Sequence, residues 1–111
     1  METELYKGTL SLLILSVLAR RPMYGYAIVT AMREDTNGAF EWTEGALYPS
    51  LHKLEAAGLI RGQWQGDPGT RRRRYYYLTD KGRRALSEKR DSWKRLCRAV
   101  NQVLEKDAAW R

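Results

Sequence analysis

Thr43-Glu44-Gly45-Ala46-Leu47-Tyr48-Pro49-Ser50-Leu51-His52-Lys53-Leu54-Glu55-Ala56-Ala57-Gly58 is the stretch on which the fold of this chain turns. Leu47, Leu51 and Leu54 recur at spacings of four and three, the mark of one buried helical stripe. The Thr43 hydroxyl can cap the free N–H groups of the first turn. Gly58 follows the last turn, where a left-handed residue commonly closes a helix. Pro49 falls at about the sixth helical position and forfeits one backbone hydrogen bond, so a slight bend is expected there rather than a break. At about 100° per residue, the stripe leaves Gly45, Ala46, Tyr48, Pro49, His52 and Lys53 facing outward, with Ser50 nearer the edge of the core.

Working outward from this helix, the preceding sequence holds two more. Leu10, Leu13, Ile14, Val17 and Leu18 share one face of a first helix, predicted over residues 5–18. Pro22 ends it by pushing Arg21 out of helical geometry. A second helix starts near Tyr24 and carries Ile28, Ala31 and Met32, and Asn37-Gly38 turns the chain after it. Beyond Gly58, Leu59 to Gln65 and Arg72 to Leu78 read as two strands joined by the turn Gly66-Asp67-Pro68-Gly69. Tyr76 and Leu78 are expected to point into the core, with Tyr75 and Tyr77 outward. Thr79 caps a last helix predicted from Asp80 to about Lys106. Its apolar positions are Leu86, Trp93, Leu96, Cys97, Val100, Val103 and Leu104, spaced as in a helix that packs on another helix.

Three short helices, a hairpin and a long helix make a mainly α chain with a small β-hairpin. The expected fold is a winged helix-turn-helix over residues 1–79, followed by a dimerisation helix over 80–111. In such folds the third helix enters the DNA major groove and the hairpin touches the backbone or the minor groove. Charge agrees. Residues 1–60 hold five Lys/Arg against seven Asp/Glu, whereas residues 61–111 hold fifteen against six. Basic charge gathered in one half suits a polyanion. Arg71-Arg72-Arg73-Arg74 stands beside the hairpin turn, and phosphate is the natural partner of clustered guanidinium groups. A localisation tag or a merely solvated tip would read the same in isolation. On the third helix, Ala46 and Pro49 can touch a thymine methyl. Tyr48, Ser50, His52 and Lys53 can hydrogen-bond bases or phosphates, and Gly45 permits close approach. The three successive tyrosines could instead stack single-stranded bases, but no broad aromatic sheet surrounds them.

Other classes find little support. The longest apolar run, Leu12 to Leu15, is far below the roughly 20 residues of a membrane span. No secretion signal is read at the N-terminus. The single cysteine, Cys97, excludes an internal disulfide and suits the reducing cytoplasm. The single histidine, His52, has no second His or Cys with which to hold a metal. No catalytic constellation or phosphate-binding glycine loop is present, so neither enzymatic activity nor a cofactor is expected.

The segment from Gly45 through Gly58-Leu59-Ile60 resembles the third-helix signature of the PadR family of transcription regulators. Tyr24-Gly25-Tyr26 resembles the start of that family's second helix. Arg73-Arg74-Tyr75-Tyr76-Tyr77-Leu78-Thr79-Asp80-Lys81-Gly82-Arg83 resembles its wing and the cap of the next helix. The resemblance covers roughly residues 5–86; the last helix corresponds by position and length more than by sequence. It implies a homodimer formed by the last helix together with the first, an inverted-repeat operator and repression of nearby genes. With a short single C-terminal helix the chain is similar to the smaller branch, some members of which bind flat hydrophobic compounds between the paired helices.

Dimer formation is also expected from the residues, because the last helix carries an apolar stripe that one small domain cannot cover. The dimer residues are expected to be Leu5, Leu12, Trp93, Leu96, Cys97, Val100, Val103 and Leu104. Trp93, Leu96 and Val100 are the expected seat of a small aromatic effector, and serve equally well as plain dimer core. Paired Cys97 thiols near a two-fold axis would permit a redox switch, whereas a buried lone cysteine commonly acts as a small apolar residue. The alternative to a specific repressor is a non-specific or architectural DNA-binding protein without an effector.

Overall fold

The computed structural model describes residues 9–108. Its elements, in chain order, are α1 (Leu10–Leu18), β1 (Met23–Tyr24), α2 (Gly25–Asp35), α3 (Glu44–Ala56), β2 (Ile60–Gln65), β3 (Arg73–Leu78) and α4 (Asp80–Ala108). The fold is the expected winged helix-turn-helix with a long terminal helix. The predicted start of the first helix and Leu5 lie outside the described residues.

The sheet corrects the sequence reading. It has three antiparallel strands in the order β1-β3-β2, not a two-stranded hairpin alone. Met23 pairs with Tyr76 and Tyr24 with Tyr75. Accordingly α2 begins at Gly25, and Tyr24 belongs to the strand. Two residues after a proline are too few to show a strand period, so only the partner strand makes β1 visible.

The core gathers one face from each element. Ile14, Leu15, Met23, Ile28, Leu47, Leu51 and Ile60 are essentially inaccessible to solvent. The stripe predicted for α3 is buried as a unit, and Val29 joins Ile28 and Met32 on α2. Tyr76 is buried as expected, while Leu78 is half-buried against the same cluster. Leu12, assigned by sequence to a dimer contact, is half-buried against this core.

The end of α3 is tied to the start of α4, which holds the wing between them. Gly58 takes φ +78 and closes α3. Thr79 Oγ1 donates to the carbonyls of Gly58 (2.7 Å) and Leu59 (3.0 Å) and accepts from Gly82 N (3.0 Å), so it caps α4 as predicted. Lys81 Nζ donates to Ala57 O at 2.8 Å, a cation on the carbonyl end of α3. Gly82 then passes so close to the chain that a Cβ there would lie 2.0 Å from Leu59 O.

Candidate nucleic-acid interface

The N-terminal end of α3 is held by one side chain. Thr43 has extended backbone, and its Oγ1 accepts from Ala46 N at 3.1 Å. The helix continues through Pro49 to Ala56. Because its three leucines face inward, Gly45, Ala46, Tyr48, Pro49, His52 and Lys53 are all exposed, and Ser50 is half-buried at the edge. The Tyr48 and His52 rings stand 6.5 Å apart on this face. After Glu44 in the first turn the surface is small at Gly45 and Ala46 and becomes polar and basic further on, which suits entry into a groove lined by phosphates.

The wing stands beside it. Antiparallel pairing sets Trp64 opposite Arg74 and Gln65 opposite Arg73. Side chains alternate across a strand, so Arg73 and Arg74, the first two residues of β3, point to opposite faces. Arg73 lies over the Tyr24 ring at 4.5 Å, whereas Arg72 and Arg74 lie 6.0 and 5.9 Å from the Trp64 ring. These distances are within the range of cation–π attraction. Arg71, Arg72 and Arg73 are exposed; Arg74 is half-buried and forms an ion pair with Glu55 at 2.7 Å. The sequence groups all four as phosphate contacts, and the structure sets Arg74 apart.

Between α3 and the wing runs a cleft of about 500 Å³. Arg71 to Arg74, the rings of Tyr24, Tyr26, Tyr48, Trp64 and Tyr76, and Glu44 line it. Tyr26 and Trp64 remain about half exposed. Burial pushes the Tyr76 phenol up, against the opposing pull of the Arg74 guanidinium, so the ring stays neutral. Sequence reasoning missed Tyr24, Tyr26 and Trp64 as parts of this surface. The hairpin register could have found Trp64, since it pairs directly with Arg74. Tyr24 and Tyr26 arrive only through the β1–β3 pairing.

At the other end of the molecule, Trp93, Leu96, Val100, Val103 and Leu104 are exposed on one stripe of α4, and Cys97 is half-buried. Among the described residues no cluster of His, Cys, Asp or Glu is arranged to hold a metal. None of the described helices is long and apolar enough to cross a membrane.

A profile of the transcriptional regulator PadR-like family matches residues 14–88, from the second turn of α1 to the third turn of α4. The chain belongs to the PadR-like family. A PadR family transcriptional regulator from Eggerthella lenta superimposes with a TM-score of 0.81 at 39% identity, over 92% of this chain and 87% of that one. A PadR-like transcriptional regulator from Bacillus cereus gives 0.78 at 32% identity, over 91% and 96%. In sequence the chain is 40% identical to the transcriptional regulator Rv3488 of Mycobacterium tuberculosis over 68 residues, which span 61% of this chain and 63% of that protein. This PadR-like chain is thus a DNA-binding transcriptional regulator rather than an enzyme.

Proposed function

We propose that this regulator is a homodimeric, cytoplasmic repressor that binds an inverted-repeat operator through one winged helix per protomer. The observation that carries the proposal is the shared cleft: Tyr48, on the exposed face of α3, and the exposed Arg71, Arg72 and Arg73 line the same cavity. In this reading residues 1–79 form the DNA-binding unit and residues 80–111 the dimerisation helix. Tyr48, Ser50, His52 and Lys53 read bases, Gly45, Ala46 and Pro49 allow close approach, and Thr43 fixes the helix end that enters the groove. The wing arginines hold phosphates, which position the protein without reading sequence. The α4 stripe is covered by its two-fold mate, because closed two-fold dimers are the commonest way to bury such a face.

The test is fluorescence anisotropy on DNA from upstream of the protein's own gene, against a scrambled duplex, at two salt concentrations. Much tighter binding to the upstream DNA, with both affinities falling as salt rises, supports the repressor. Equal affinity for both duplexes favours the architectural alternative. Arg72→Ala with Arg73→Ala should weaken binding to every sequence and reduce the salt slope by about 0.9 for each phosphate no longer neutralised. An unchanged slope removes the wing from the interface.

A second reading concerns the effector and rests on Trp93, which is 43% exposed on the α4 stripe, followed by the exposed Leu96 and Val100. A planar aromatic molecule seated there would quench its fluorescence. Quenching by planar dyes that disappears in Trp93→Ala supports a sensor, and no quenching across a varied panel leaves a repressor without a ligand.

A further inference from the structure

Glu55 lies in the last turn of α3, on none of the surfaces assigned above. One of its carboxylate oxygens, Oε2, accepts two hydrogen bonds. One comes from Gly62 N on β2 at 3.0 Å, and the other from Arg74 Nη2 on β3 at 2.7 Å. A single oxygen therefore ties the recognition helix to both strands of the wing. We infer that Glu55 and Arg74 form a brace that sets the wing against α3, and that Arg74, unlike Arg71 to Arg73, grips the protein and not DNA.

Three features support the brace. First, β2 is the edge of the sheet, so alternate N–H groups on it point away from β3. The N–H of Gly62 is one of these, and Glu55 supplies the acceptor that no strand offers. Second, Gly62 makes room for the guanidinium. A Cβ there would lie 2.4 to 2.5 Å from Arg74 Nε, Cζ and Nη2. Gly62 pairs with Tyr76 and Trp64 with Arg74, so the glycine and the arginine are diagonal neighbours on one face. Third, the Arg74 guanidinium lies 5.9 Å from both the Trp64 and the Tyr76 ring centroids. Its two partner rings and the carboxylate leave it about one third exposed. An isolated surface ion pair contributes little, but this pair is half-buried, charge-assisted and joined to a backbone N–H.

The brace makes Glu55 a positioning residue, and the sign of its effect is diagnostic. Removing a carboxylate beside a DNA-binding surface should tighten binding if charge alone counts. The brace requires the opposite, since a loose wing must be ordered on binding. Glu55→Ala, which removes both hydrogen bonds of the brace, is expected to weaken DNA binding at least about tenfold at fixed salt. Arg74→Gln should weaken it similarly while leaving the salt slope unchanged, whereas Arg72→Gln lowers the slope by about 0.9. Gly62→Ala, which alters no charge, should act in the same direction as Glu55→Ala.

The affinity measurements rest on the DNA-binding reading above; amide exchange in the free protein does not. The Gly62 amide should exchange at least about tenfold faster in Glu55→Ala, while the Ile14 amide in the core keeps its protection. Tighter binding by Glu55→Ala, a drop in slope for Arg74→Gln equal to that for Arg72→Gln, or an unchanged Gly62 amide would each overturn the brace. If the wild type shows no preference for any DNA, the repressor reading fails and the exchange result still decides the brace.

Discussion

The first two turns of α4 and the turns after them share one apolar spacing, and the fold treats them in opposite ways. Leu86 is 5% exposed, packed into the core beside α1, whereas Leu96 is 55% and Val103 69% exposed on the continuation of the same helix. The difference is topological. Residues 80–86 run over Leu59 and the end of α3, where Thr79, Lys81 and Gly82 hold them. Beyond residue 86 the helix runs on for about 33 Å at 1.5 Å per residue, and the described residues span 65 Å in length but only 28 by 21 Å across. Periodicity states that a face is apolar; the neighbours that the chain can bring to it decide whether the same protomer covers it.

The largest expected effect breaks this comparison at its two poles. Ile14→Ala empties a fully buried site and should cost about 2–5 kcal/mol of folding stability, as core truncations do. Leu96→Ala removes a comparable side chain from the exposed stripe. It should leave the stability of an isolated protomer nearly unchanged and weaken self-association instead. Denaturation at several protein concentrations separates the two. The Ile14→Ala destabilisation should persist at every concentration, while that of Leu96→Ala should be confined to concentrations at which the wild type is associated. A concentration-independent destabilisation of several kcal/mol in Leu96→Ala would mean that the distal stripe is covered within one chain.

Gly82→Ala tests the junction between the two regions. The added Cβ would meet Leu59 O at 2.0 Å and Leu78 Cδ1 at 2.6 Å, and the first of these is backbone. Overpacking of this kind costs about 1–3 kcal/mol. Because the junction holds the wing as well as α4, a fall in DNA affinity should accompany the fall in thermal stability. Gly45→Ala is the control, since a Cβ there meets nothing within 4 Å. It should raise stability slightly by favouring the helix, and affect affinity only through close approach to the groove.

This contrast also explains what could be read in the sequence. The α3 stripe, its Thr43 cap, the Gly58 stop and the Thr79 cap were all legible, because each depends on residues within a few positions of one another. The apolar stripe of α4 was legible as a stripe. Strand β1 was not, since Met23 and Tyr24 become a strand only through Tyr75 and Tyr76 some fifty residues later. The same non-locality hid the cleft and the separate role of Arg74. Four consecutive arginines look equivalent in the sequence, but the pleat, the Gly62 gap and Glu55 on another element make one of them different.

The smallest effect compares one hydroxyl in each region. Thr43 Oγ1 accepts from Ala46 N at 3.1 Å and satisfies one of the free N–H groups at the end of α3. Thr43→Ala should therefore cost about 1 kcal/mol, seen as a lower denaturant midpoint with an unchanged slope. Ser92, on the distal part of α4, accepts from the exposed Arg95 Nη2, at 3.3 Å. It lies inside the helix, where serine is a weaker helix former than alanine, so Ser92→Ala should raise stability by a few tenths of a kcal/mol. Both substitutions remove a hydroxyl, Thr43→Ala a methyl as well, and they should differ in sign. If Thr43→Ala is as harmless as Ser92→Ala, the end of α3 gains nothing from its cap, and its entry into the groove must then be fixed by the buried leucines alone.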